Sequence, residues 1–101
     1  MITIKRGTII ASLQDESILE PAMALDKICH EKGWGHATIT GGIDGNHLSN
    51  SQHYKGTAID LRLPSHKTGD TNHDAMAILD LRKALPQWSV ILEKDHIHVQ
   101  R

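Results

Sequence analysis

The sequence predicts a small α+β domain in which two main helices pack on an antiparallel sheet. Two segments carry apolar residues at helical spacing, and several short stretches alternate apolar and polar residues. Gly, Pro and Asn separate them. The 101 residues suffice for one core, and no repeat, low-complexity tract or linker divides them, so residues 1–101 form a single domain.

Ile2, Ile4 and Ile9-Ile10 around Lys5-Arg6-Gly7 read as an edge strand or hairpin within residues 1–10. Ser17-Ile-Leu-Glu20 has the form of a capping box, and Pro21 falls in a first turn where its missing N–H costs little. Leu19, Ala22, Met23, Leu25 and Ile28 then give one apolar face to a helix that runs to about Lys32 and stops at Gly33. His36–Thr40 is a short strand halted by Gly41-Gly42, and residues 41–55 form a polar loop.

Thr57–Leu63 is a second strand, with Ala58 and Asp60 on one face and Ile59 and Leu61 on the other, ended by Pro64. Thr71–Asp74 is another cap signal. Met76, Ile78, Leu79, Leu81, Ala84 and Leu85 mark a second helix ending at Pro86. Trp88–Leu92 and His96–Val99 are two last strands, paired through a turn near Lys94-Asp95.

Composition narrows the function. The formal net charge is -1 and no Lys/Arg cluster stands out, which gives no electrostatic support to nucleic-acid or anionic-membrane binding. No apolar run approaches the roughly 20 residues needed to span a bilayer, so no membrane insertion is expected. The residues after Met1 lack the apolar core of about 7–15 residues that marks a signal peptide. The expectation is synthesis in a reducing cytoplasm, and a protein acting on the cell wall would need another route of release. Cys29 is the single cysteine, so no intrachain disulfide forms; it reads as a small packed residue.

Histidine is the outlier: eight residues in a chain with no Phe, which favours a metal site. Two stretches concentrate the chemistry, Ser51-Gln-His53-Tyr-Lys-Gly56-Thr-Ala58-Ile-Asp60 and Asp95-His96-Ile-His98. His96 and His98 alternate with apolar residues and project from the same strand face. Beside a strand bearing Asp60, with His53 at its entrance, they can converge on one ion. Two His and one carboxylate leave a fourth zinc position open for water, as catalytic sites do. The ion lowers that water's pKa to about 7, and a neighbouring carboxylate, Asp95, can take its proton. Spacing alone does not decide whether His96 or His98 is the ligand.

The conjunction Ser-x-His-x-x-Gly-x-Ala-x-Asp, followed by Asp-x-x-His within Asp-His-x-His, resembles the zinc D-Ala-D-Ala carboxypeptidase family. That family includes the vancomycin-resistance D-Ala-D-Ala dipeptidases and the L-alanyl-D-glutamate peptidase endolysins of phages. The resemblance covers roughly residues 35–101 and includes the intervening helix. It implies a Hedgehog-like, D-Ala-D-Ala-peptidase-like fold with one Zn2+ per chain held by His53, Asp60 and His98. It further implies Asp95 as general base and His96 beside the metal, where it stabilises the tetrahedral intermediate. Ser51 would orient His53 or touch substrate; a loop-capping role fits it equally. Gly56 and Ala58 are small enough to let the backbone pass close under the metal.

The sequence departs from the family at one point. Many members carry a substrate-contacting arginine in a Thr-Ser-Gly-x-Arg stretch, where this chain has Thr40-Gly-Gly-Ile-Asp44-Gly-Asn-His47. His47 and Arg62 are the candidates to supply that contact. The other histidines, His30, His36, His66 and His73, read as helix-end, surface or cap residues. The function implied is a phage-type endolysin that hydrolyses peptidoglycan stem or cross-link peptides, with a monomer favoured. The rivals are a non-catalytic zinc-binding structural module of the same fold and a metal-free interaction domain.

Overall fold

The computed structural model describes residues 2–4, 19–41 and 58–101. Along them run β1 (Thr3–Ile4), α1 (Glu20–Lys32), β2 (Thr38–Gly41), β3 (Ala58–Arg62), α2 (Ser65–Thr68), α3 (Asn72–Ala84), β4 (Ser89–Leu92) and β5 (His96–Gln100). The strands form one sheet in the order β1-β2-β3-β5-β4. This is the expected α+β architecture, with one difference in the sheet. Strands β2–β3, β3–β5 and β5–β4 pair antiparallel, but β1 lies parallel to β2, with Thr3 opposite Thr38 and Ile4 opposite Ile39. The sheet is therefore mixed. Helix α1 intervenes between β1 and β2, and a crossover of that kind is what a parallel pair requires. Thr3 N–H donates to the Ala37 carbonyl at 2.9 Å, and the Thr3 and Thr38 hydroxyls meet at 2.6 Å.

Helix α1 starts at Glu20 with Pro21 in its first turn and Leu19 in the N-cap position, which makes no side-chain cap bond. Ser17 of the expected capping box lies outside the described residues. Gly33 ends the helix at φ 73°, a left-handed conformation that glycine adopts without steric cost. Its N–H donates to the His30 carbonyl and the Trp34 N–H to that of Cys29, which caps two orphan carbonyls. Asp26 then accepts the Ala37 N–H at 3.0 Å and ties α1 to the entrance of β2.

In α3 the expected cap shifts by one residue. Thr71 makes no side-chain cap bond; instead Asp70 Oδ1 accepts the Asn72 N–H at 2.9 Å. Asp74 is buried and accepts the N–H and hydroxyl of Ser65 at 2.9 and 2.7 Å. These bonds start α2, a short third helix absent from the sequence expectation, directly behind Pro64. The buried stripes are also narrower than the apolar positions suggest. Ala22, Leu25, Ile28 and Cys29 of α1 are buried, as are Ala77, Ile78 and Leu81 of α3, whereas Met23, Met76 and Leu79 are exposed. At 100° per residue those three fall on the far side of their helices.

The helices cover one face of the sheet, where Ile39, Ile59, Leu61, Val90, Ile97 and Val99 join the core. Each such side chain contributes on the order of 1.5–3 kcal/mol when fully buried. Arg82 fastens the edge strand β4 by donating from Nε and Nη2 to the Val90 carbonyl. Strict alternation in β5 sends His96, His98 and Gln100 to the opposite face, half-buried. A one-residue slip would drive both histidines into the core and expel Ile97 and Val99, so core packing fixes which face they occupy. No helix among the described residues is long and apolar enough to cross a membrane.

Candidate metal centre

The polar face is assembled by strand register. Asp60 of β3 lies opposite His98 of β5, and Arg62 opposite His96, so two pairs stand side by side on neighbouring strands. Asp60, His96 and His98 each offer an atom to a group whose members all lie within 4.8 Å of one another. Asp60 Oδ1 is 3.0 Å from His98 Nδ1 and 3.6 Å from His96 Nε2. Ligand atoms about 2.1 Å from a tetrahedral ion stand roughly 3.4 Å from each other. The separations of 3.0 and 3.6 Å bracket that value, and two imidazoles with one carboxylate are a donor set suited to zinc.

The group is held from its outer side as well. The His98 Nδ1–H donates to Asp60 Oδ1 at 3.0 Å, and Nε2 lies 2.7 Å from Gln100 Oε1. The hydrogen bond to Asp60 raises the His98 pKa, outweighing partial burial, which acts against it; the Gln100 contact adds to the rise. A metal taking Nδ1 would displace its proton, because ligating imidazole must be deprotonated there.

Beyond the group, His96 Nδ1–H donates to Asp95 Oδ1 at 2.7 Å. This bond, with the attraction of the imidazole, holds the Asp95 pKa below the usual carboxylate value. Asp95 is thus a carboxylate in the turn between β4 and β5, its side chain 86% exposed. It is ionised and able to accept a proton, but a weaker base in this arrangement than the near-neutral pKa that general-base catalysis favours.

Strand β2 shapes the floor. Its pairing with β3 shifts register between Ile39↔Leu61 and Gly41↔Asp60, and the extra residue is Thr40. The irregularity brings Gly41 against the Asp60 carboxylate: a Cβ on Gly41 would stand 2.6 Å from Asp60 Oδ2. A cleft of about 300 Å³ opens over this floor, lined by Thr40, Asp60, Arg62, His66, Asp95 and His96.

The structure therefore brings together Asp60, His98, His96 and Asp95 of the sequence candidates and sets Arg62 in the same cleft. His53, Ser51, His47 and Gly56 lie outside the described residues. Ala58 shares the face of Asp60 by alternation and is buried. Sequence reasoning missed Gly41, read only as a strand stop; His66 is exposed, as expected of a surface residue, and lines the cleft. Sequence reasoning also missed Gln100, although that residue lies two positions beyond His98 and so on the same face. His73 is half-buried, stacked on Trp34 with ring centroids 4.4 Å apart and bonded to Thr68, a packing role in the first turn of α3. No protein-family model and no curated protein matches the chain.

Proposed function

We propose that this chain is a zinc-dependent peptidase that hydrolyses peptidoglycan stem or cross-link peptides, with the fold of the D-Ala-D-Ala carboxypeptidase and L-alanyl-D-glutamate peptidase family and the role of a phage-type endolysin. The observation that carries this reading is the gathering of Asp60, His96 and His98 on one sheet face, at the positions of the two motifs. His53, Asp60 and His98 would hold the metal. When bound, zinc would polarise the target carbonyl and acidify a water. Asp95, kept ionised by His96, would accept the proton of that water and return it to the leaving amine. His96, fixed between Asp95 and Asp60, would donate towards the oxyanion of the substrate. Arg62 is available to orient substrate in the absence of the family's arginine.

The absence of the family's arginine before the first motif motivates a second reading, a zinc-binding module that keeps the fold without catalysis. Mass spectrometry of muropeptides before and after incubation with the zinc-loaded protein separates the two. A peptidase yields shortened or uncoupled stem peptides and identifies the bond; an unchanged muropeptide profile with zinc bound rejects the peptidase.

A further inference from the structure

Gln100 is the last residue of β5 and stands half-buried on the face of His96 and His98. Its side-chain oxygen lies 2.7 Å from His98 Nε2, the ring nitrogen that Asp60 does not touch; Asp60 Oδ1 meets Nδ1 at 3.0 Å. Strand register gives this side chain room. Gln100 has Ala58 opposite it on β3 and Ser89 opposite it on β4, both small, whereas His98 stands between Asp60 and Ile91. Side chains directly opposed across a pair start only about 4.5–5.5 Å apart. A long one at either place would press on Gln100; alanine and serine leave it free to lie along its own strand towards His98. Ile91, the neighbour of His98 on β4, has no polar side-chain group to compete for the ring.

A neutral imidazole carries its one proton on Nδ1 or on Nε2, and the carbonyl oxygen of a glutamine side chain only accepts. An unprotonated Nε2 facing that oxygen would set lone pair against lone pair at 2.7 Å. The contact therefore favours the tautomer with its proton on Nε2. That tautomer has its lone pair on Nδ1, the nitrogen turned towards Asp60. The contact also limits rotation. The χ2 torsion of a histidine is broad, and turning about it would carry Nδ1 away from an ion beside Asp60. A bond at Nε2 resists that turn.

We infer that Gln100 is a positioning residue of the metal centre: its side-chain oxygen holds the Nε2 proton of His98 and so presents Nδ1 to the ion. This rests on the zinc peptidase reading given above, in which His98 is a ligand. Gln100 itself touches neither ion nor substrate and acts through His98. Ala58 and Ser89 serve the same end by leaving Gln100 its place. An outer partner of this kind typically accounts for about 10–100-fold in metal affinity.

The test compares the wild type with Gln100→Leu and Gln100→Glu. Zinc affinity is measured by competition with a chromophoric chelator. Long-range proton–nitrogen NMR spectra of the zinc-loaded wild type show which nitrogen of His98 keeps its proton, and mass spectrometry of muropeptides follows cleavage. The proton should sit on Nε2, with Nδ1 bound to zinc. Gln100→Leu, similar in size but without an acceptor, should bind zinc about 10–100-fold more weakly, with the melting temperature of the zinc-free protein unchanged. Gln100→Glu restores an acceptor and should hold zinc at least as tightly as the wild type, a rescue that a packing role would not produce. Equal zinc affinity in all three proteins overturns the inference, as does equal weakening in both variants or a zinc-bound Nε2 in the wild type. Equal affinities with muropeptide cleavage intact would leave the peptidase reading standing. The expected affinities in a wild type that cleaves nothing support the role of Gln100 and count against the peptidase. A wild type that takes up no zinc overturns both.

Discussion

Asp60 and His98 face each other across the β3–β5 pair, and the His98 ring donates to the Asp60 carboxylate over 3.0 Å. The contact joins residues 38 positions apart in sequence, and nothing local holds it. It exists because Ile59 and Leu61 on one strand and Ile97 and Val99 on the other bury the opposite face in register.

The first prediction separates ligands from neighbours. In protein without a histidine tag, metal analysis should find one zinc per chain, and His98→Ala, Asp60→Ala and His53→Ala should each abolish it. His96→Ala should keep the metal with at most the roughly 10–100-fold weakening typical of an outer-shell contact. Loss of zinc in His96→Ala with retention in His53→Ala would make Asp60, His96 and His98 the ligands instead. Zinc at a hundred times its Kd should add about 2.7 kcal/mol, on the order of 10–20 °C in Tm, so chelation should lower the melting temperature by a similar amount.

Much of this site was legible in the sequence because the alternation of β3 and β5 is local. Ile97 and Val99 between His96, His98 and Gln100 state which residues share a face, and Pro64 states where β3 ends. The parallel placement of β1 was not legible, since a two-residue strand carries no period and its partner is set by where α1 delivers the chain. The role of Gly41 was hidden for the same reason: its neighbour Asp60 is fixed by an irregular pairing of β2 with β3. Met23, Met76 and Leu79 fit the apolar pattern of their helices by hydrophobicity but not by angle, which leaves them exposed. Asp74 occupies a position in the buried stripe of α3 that hydrophobicity alone would have excluded.

Gly41→Ala is the second prediction. The added methyl would meet Asp60 Oδ2 at 2.6 Å, so the carboxylate must turn away from His98 or β2 must retreat. Overpacking of this kind costs about 1–3 kcal/mol, and the displaced ligand should weaken zinc binding about 10–100-fold. A competition titration with a fluorescent chelator, set beside a urea melt, measures both. Unchanged zinc affinity would show that the position of Asp60 relative to Gly41 is irrelevant to the metal.

The third prediction concerns pH. Burial, and secondarily the nearby Asp26 charge, push the Cys29 thiol up to about 11 from its ordinary 9.0. The folded state therefore favours the protonated thiol, and the stability it contributes is complete below pH 9. Above that the unfolded chain ionises first, and stability should fall by about 2–3 kcal/mol as pH rises towards 11. Urea melts of the wild type and Cys29→Ala across this window should diverge, the variant lacking that decline. At pH 8 the native thiol should react with Ellman's reagent far more slowly than the unfolded one; parallel pH curves for the two proteins, or rapid native labelling, would contradict the assignment.

The last prediction turns on Asp95, where the catalytic and non-catalytic readings part. Its carboxylate contacts His96 at 2.7 Å and is not one of the three groups clustered around the candidate ion. Replacing it by Asn keeps the size and leaves a hydrogen-bond acceptor for His96, but removes the ability to take a proton. The side chain is exposed, so Asp95→Asn should fold normally and retain zinc. If Asp95 is the base, hydrolysis of purified peptidoglycan should drop by roughly 10²–10⁴-fold, the usual contribution of a positioned general base. Glu93 is the control. Its N–H pairs with the His96 carbonyl at 2.9 Å across the β4–β5 turn and its charge acts on His98, so it is a second carboxylate to test beside this face. Glu93→Gln should be nearly silent. Full activity in Asp95→Asn with a deep loss in Glu93→Gln would transfer the role to Glu93. Full activity in both variants would mean that neither carboxylate of this turn takes the proton. A wild type that binds zinc and cleaves nothing would identify the centre as a metal-holding element of the fold, with Asp95 there to position His96.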